Sequence, residues 1–179
     1  PAPGSPDLAE SVRDQITDVQ IGLDESWGLD HGAWSVIKHL FPEAEIPVVQ
    51  LSLDYSQSPQ YHYQLAGELA SLRDKGVLIV GSGNIVHNLR TIDWNNPEGG
   101  YDWATETDVK VRKLIVDRDH QSLIDYKKGG WAFEQSIPTP EHFLPLLYAL
   151  ALQEPGEPAE LFNDKPVAGS LTMTSVKIG

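Results

Sequence analysis

Apolar positions recur along this chain with two periods, and the switching between them lays out its elements. Leu8, Val12 and Ile16 fall at i, i+4 and i+8, one stripe of a helix. Its start is marked by Ser5, Pro6, Asp7 and Glu10: a hydroxyl cap, a proline at the first helical position and acids at the positive end. Trp34, Ile37, Leu40 and Phe41 predict a second helix over Ala33 to Phe41, halted by Pro42. A third follows the Ser58-Pro59 cap, with Tyr61, Leu65, Leu69 and Leu72 at helical spacing and Gly76 as its stop. Trp103 to Val116 is the best-marked long helix, and a shorter one covers Gln121 to Lys127. Thr139-Pro140-Glu141 repeats the cap signature and launches HFLPLLYALAL, with Pro145 inside the first turns.

Between these helices lie short runs of strand formers: Val19 to Leu23, Ile46 to Leu53, Val77 to Val80, and Leu171 to Ile178. Helices alternating with buried strands predict the α/β class: a layered α/β/α domain around a central mixed, mostly parallel sheet. No repeat or linker divides the chain, so residues 1–179 read as a single domain. The opening Pro1-Ala2-Pro3-Gly4-Ser5-Pro6, without Met, reads as mid-protein, so the N-terminal part of the fold is expected to be missing and the domain incomplete.

Composition narrows the function mainly by exclusion. A net charge of −13 argues against nucleic acid or an anionic membrane as partner, since phosphates are bound by an excess of Lys and Arg. The absence of cysteine removes disulfides, thiolate metal sites and Cys nucleophiles, and fits a cytoplasmic protein. No run approaches the ~20 apolar residues of a membrane span. Among motifs, H-x-D, H-x-E, H-E-x-x-H, the P-loop and G-x-S-x-G are all missing. Gly81-Ser82-Gly83 is half of a dinucleotide fingerprint without its third glycine.

What remains is histidine in suggestive settings. In VLIVGSGNIVHNLR, four β-formers run into a Gly-rich turn and His87 follows, the place where α/β proteins put their chemistry. His31 lies between Asp30 and Gly32, an acid and a permissive residue that suit a positioned imidazole. His142 is expected in the first turn of a helix, stiffened by Pro140 and Pro145. Three histidines from three separate segments supply the angular spread a His-rich metal site needs. Each also has a plainer reading as a hydrogen-bonded structural residue, His142 as an N3 group facing the Thr139 cap. His39, His62 and His120 read as structural, on polar helix faces or helix ends. Trp27 and Trp34 flank His31 and could wall an aromatic pocket.

Three segments together resemble a known family. Glu25-Ser26-Trp27-Gly28-Leu29-Asp30-His31-Gly32-Ala33-Trp34, Gly81-Ser82-Gly83-Asn84-Ile85-Val86-His87-Asn88-Leu89-Arg90, and Pro138-Thr139-Pro140-Glu141-His142-Phe143-Leu144-Pro145-Leu146-Leu147-Tyr148 resemble the class III extradiol ring-cleaving dioxygenases, in the branch of 4,5-DOPA extradiol dioxygenase-like proteins. The opening six residues and Gly169-Ser170-Leu171-Thr172-Met173 match the same branch, so the resemblance is collinear over the chain.

The resemblance implies cleavage of a catechol-type, L-DOPA-like substrate with O2, using one divalent non-haem metal, Fe(II) for activity and often Zn(II) as isolated. It places His87 and His142 at the metal and His31 in the substrate pocket. His87 and His31 are the expected acid/base groups, Asp30 the residue orienting His31, and Trp27 a substrate neighbour. In the related protocatechuate-cleaving branch the histidine after the Gly-rich turn is an acid/base, whereas in the DOPA-like branch it groups with the metal histidines, so His87 carries both expectations. The family's remaining ligands come from an N-terminal His-Gly-Ser-Pro segment and a later His-Trp pair, neither of which occurs here. The chain therefore resembles the C-terminal two-thirds of such a protein, with a missing N-terminal fragment as an expected partner. Two other functions stay open: a catalytically silent domain that binds a small aromatic or a partner subunit, and a zinc hydrolase with Glu141 as base.

Overall fold

The structure, a computed structural model, describes residues 2–179. Its helices are α1 (Pro6–Gln15), α2 (His31–Leu40), α3 (Pro59–Gly67), α4 (Asp102–Val116), α5 (His120–Ile124), α6 (Trp131–Ser136) and α7 (Leu144–Ala151). Short strands close the chain: β1 (Ala159–Phe162), β2 (Pro166–Val167), β3 (Leu171–Thr172) and β4 (Ser175–Ile178).

α7 is the hub, because it is apolar on every side and such a helix must be buried. Leu144, Leu147 and Leu150 are wholly buried and join Val111 and Ile115 of α4, Leu123 of α5 and Phe133 of α6 in one core cluster. Tyr148 and Leu152, offset by one position along the helix, face a second cluster with Ile16, Leu65, Ala66, Leu69 and Leu72. The α1 stripe read from sequence docks there: Ile16 is buried, and Leu8 and Val12 pack against it.

Local signals explain most boundaries. Ser5 Oγ accepts from the Leu8 N–H at 3.3 Å and Ser58 Oγ from the Tyr61 N–H at 3.2 Å, both as capping chemistry requires. The third helix does not run unbroken to Leu72. It ends at Gly67, a poor helix former, and resumes as a 3-10 turn over Ala70–Lys75, closed by Gly76 at φ +77°. α7 begins four residues later than its sequence signature suggests, at Leu144 rather than Pro140. The N–H groups of Phe143 and Leu144 donate to the Pro140 carbonyl, both at 2.9 Å, and the helix starts where Pro145 falls in its opening positions and its missing N–H costs nothing. Thr139 does not cap; its hydroxyl donates to Glu141 Oε1 at 2.7 Å.

The mixed α/β class is seen, but a central, mostly parallel sheet is not formed among the described residues. The pairings are antiparallel: β1 with β4, Ala159 opposite Ile178, and β2 with β3, Val167 opposite Leu171. The expected strand Leu171 to Ile178 is split at Met173-Thr174, where the Thr174 hydroxyl turns inward to donate to Asp108 at 2.6 Å. Val19 and Ile21, Leu51 and Leu53, and Val77 and Ile79 pack against the second cluster at alternate positions, the period of a strand, yet no ladder joins these segments. A parallel sheet is stable with both faces covered. Here Leu78 and Val80 are 67% and 42% exposed, so one face lacks a covering layer.

Candidate functional site

The Gly-rich turn after Val80 leads into Ile85 and Val86, both buried, and these anchor the segment that carries His87. Backbone bonds then hold it to two segments, the end of α6 and the β3 strand. The His87 N–H donates to the Ser136 carbonyl at 2.9 Å, the Asn88 N–H to Ser170 O at 3.1 Å, and the Thr172 N–H to Val86 O at 3.2 Å. Side chains complete the frame: Asn84 Nδ2 donates to Thr172 O at 2.8 Å, Asn88 Nδ2 to Gln135 O at 2.8 Å, and Ser170 Oγ to Asn88 O at 2.7 Å. An isolated antiparallel bridge pairs His87 with Leu171. His87 is thus a half-buried side chain on a rigid backbone.

His142 lies in the turn before α7 rather than in the helix, and its carbonyl accepts the Asn84 N–H at 2.9 Å. That bond brings the two imidazoles together. Their centroids are 3.5 Å apart and their planes 15° from parallel, a stacked pair. Burial, first, and then the neighbouring His142 push His87 below the ordinary imidazole value. Burial likewise lowers His142, with Glu141 opposing and His31 adding to the shift. Both rings are therefore held neutral near pH 7, the protonation state of a metal ligand or a general base.

His31 is the first residue of α2 and is exposed. Asp30 acts on it through the helix rather than the ring: its Oδ1 accepts the Ala33 N–H at 2.8 Å as the N-cap, and its Oδ2 accepts Gln50 Nε2 at 3.1 Å. Ser82 Oγ donates to the Gly32 carbonyl at 2.7 Å, tying the start of α2 to the Gly-rich turn. Trp27 stands 75% exposed in the loop before α2, and Trp34 is 47% exposed with Lys38 Nζ 5.4 Å from its ring.

The histidines read as structural occupy other places. His62 is not on a polar face; it is completely buried, bonded to Tyr148 and the Asp54 carbonyl. His120 bridges the Tyr63 hydroxyl at 2.8 Å and Gln153 Oε1 at 3.1 Å. Two open concavities, about 550 Å³ beside Arg118 and Glu157 and about 300 Å³ beside Tyr126 and Phe133, are lined by none of the histidines.

The donor chemistry of the His87–His142 pair, two adjacent neutral imidazoles, fits a divalent transition metal. Among the described residues no group of three or more His, Cys, Asp or Glu is arranged to hold one. Sequence reading passed over the residues that build the frame: Asn84, Asn88, Ser136 and Ser170. The two asparagines flank His87 in an otherwise apolar stretch, which is the signal that marks them. Ser136 and Ser170 act from distant segments and leave none.

A mixed α/β chain that brings two imidazoles together beside a Gly-rich turn has donors suited to a metal or to acid/base chemistry, and comparison gives the family. The chain belongs to the family described as the catalytic LigB subunit of aromatic ring-opening dioxygenase, whose model matches residues 1–174. It is similar to the 4,5-DOPA dioxygenase extradiol of Escherichia coli (strain K12), at 42% identity over 100% of this chain and 67% of that protein. The protein of that name from Beta vulgaris is 33% identical over 98% of this chain and 66% of its own length. The crystal structure of an uncharacterized protein from Escherichia coli K12 superposes with a TM-score of 0.92 at 40% identity, over 100% of this chain and 75% of that one. The chain thus spans about two thirds of the length of these curated relatives.

Proposed function

We propose that this protein opens the ring of a catechol-type substrate, L-DOPA or a simpler catechol, by extradiol cleavage with O2. The observation that carries this reading is the adjacency of two half-buried imidazoles, His87 and His142, in a chain of the ring-opening dioxygenase family. His87 and His142 are two of the groups that would hold one divalent metal, Fe(II) in the active enzyme and Zn(II) in isolated material. When bound, the metal supplies Lewis acidity toward the catechol oxygens and an electron path to O2.

The chain's own residues handle protons and position. His31 is an acid/base candidate, and His87 is the other where it does not ligate the metal: a neutral imidazole takes the second catechol proton and returns it to oxygen as the ring opens. Asp30 fixes His31 by capping α2, and the exposed Trp27 offers an aromatic face to the ring. Residues 1–179 belong to one catalytic domain. The acidic, cysteine-free composition supports a cytoplasmic protein with no nucleic-acid partner.

The test is oxygen consumption by the Fe(II)-reconstituted protein, prepared anaerobically, with L-DOPA and simple catechols. Uptake stoichiometric with ring opening is expected; metal-loaded protein that consumes no oxygen with any catechol overturns the reading. One observation favours a second reading, a silent domain that binds a small aromatic or a partner subunit: only two candidate metal histidines adjoin in the described residues. Catechol binding without any turnover in metal-loaded protein selects it.

A further inference from the structure

The turn between Val80 and Ile85 touches the backbone around His142 more closely than any side chain allows. A Cβ placed on Gly83 stands 2.1 Å from the His142 carbonyl oxygen and 3.0 Å from its carbonyl carbon. On Gly81 it stands 2.4 Å from the Pro145 carbonyl oxygen and 3.0 Å from that carbon. These obstacles are backbone atoms that cannot swing aside, at separations well inside van der Waals contact. Neither glycine has a positive φ, so closeness of approach, not backbone freedom, is what demands a bare Cα here.

The approach has a direct result at the histidines. With Gly83 flat against residue 142, the next N–H, that of Asn84, reaches the His142 carbonyl at 2.9 Å. Two residues further, Val86 is wholly buried and fixes the run into His87. The span from the docking point at Gly83 to His87 is therefore short, pinned at both ends and unable to lengthen. Gly81 repeats the dock at Pro145, which opens α7.

We propose that Gly83, supported by Gly81, is a positioning residue for the histidine pair: its missing side chain lets the turn seat on the His142 backbone, and that seat sets the His142 ring on His87. The metal-related part of the test rests on the proposed function; the positioning part does not.

The experiment uses the full chain and two readouts, the NOE between the ring protons of His87 and His142 and the Zn(II) affinity measured by chelator competition. Gly83→Ala is expected to lose the NOE and to weaken Zn(II) by roughly 10- to 100-fold, the range seen when support for a ligand is removed. Gly22→Ala, which meets nothing within 4 Å, should leave both unchanged. A glycine needed only for stability would lower the thermal midpoint without separating the rings. A Gly83→Ala variant that keeps the NOE and holds Zn(II) as tightly as the parent overturns the proposal. Wild type that shows the NOE but binds no Zn(II) overturns the metal reading, while loss of the NOE in the variant still supports positioning. Hydrogen exchange at the Asn84 amide needs no variant: slow exchange in wild type supports the seat on His142, and exchange at the rate of a free peptide overturns it.

Discussion

The imidazoles of His87 and His142 lie face to face, 3.5 Å between centroids and 15° between planes. Ring nitrogens bind a metal along their in-plane lone pairs, and in a near-parallel stack those directions run side by side instead of meeting. A shared ion therefore requires at least one ring to turn about its side-chain bonds. Addition of Zn(II) is expected to perturb the ring-proton shifts of both residues together, in a one-step titration. His87→Ala and His142→Ala should each weaken Zn(II) by at least roughly tenfold, and His87→Ala should abolish oxygen consumption in reconstituted protein. Retained turnover in His87→Ala would remove that residue from the site.

The segments carrying this pair were legible because their signals are local. A β-former run, two glycines and a histidine stand within one short window, and helix caps at Ser5 and Ser58 depend only on residues three positions on. The start of α7 was misplaced because two local signals competed, the Thr139 cap and the N-terminal preference of Pro145, and the proline won. The burial of His62 was not legible: its partners, Tyr148 and the Asp54 carbonyl, are brought to it by tertiary packing. The same holds for the sheet, since the run of β-formers at Val77 to Val80 predicts a strand but cannot supply the neighbours that would pair with it.

His62 makes stability depend on pH. Its Nε2 faces the Asp54 carbonyl and its Nδ1 the Tyr148 hydroxyl, each at 3.0 Å. A carbonyl only accepts, so Nε2 carries the proton and Nδ1 accepts from Tyr148, whose own pKa is pushed up to about 12 by burial. Burial holds His62 below its ordinary value of 6.5. The unfolded chain therefore binds the extra proton first as pH falls. Stability from this group is full above the unfolded value and is lost on descending through the lowered folded one. His87, His120 and His142, each lowered chiefly by burial, act in the same direction. The thermal midpoint should fall as pH drops below the ordinary histidine value of ~6.5, and His62→Gln should make that fall shallower. An unchanged slope in His62→Gln would contradict the assignment of His62 as a buried neutral group.

Asp108 is a buried carboxylate with two partners, the Thr174 hydroxyl at 2.6 Å and Arg112 Nε at 3.1 Å. It fastens the break between β3 and β4 to the side of α4. Thr174→Val keeps the shape and removes the donor, leaving one carboxylate oxygen short of a bond in a site with little water. The expected cost is about 1–3 kcal/mol in urea denaturation, with an unchanged dependence on urea.

The two faces of the Val77 to Val80 segment and the hub helix give a last, paired expectation. Leu147 of α7 is wholly buried among α4, α5 and α6, so Leu147→Ala removes packed atoms that the surroundings cannot replace, at a cost of roughly 2–5 kcal/mol. Leu78 is as large and as apolar, yet 67% exposed, and Leu78→Ser should change stability by no more than about 0.5 kcal/mol. Measured side by side in urea, the two substitutions should differ severalfold in the free energy lost. If Leu78→Ser instead costs as much as Leu147→Ala, the outward face of this segment is covered in solution, because only burial gives a leucine that energetic weight.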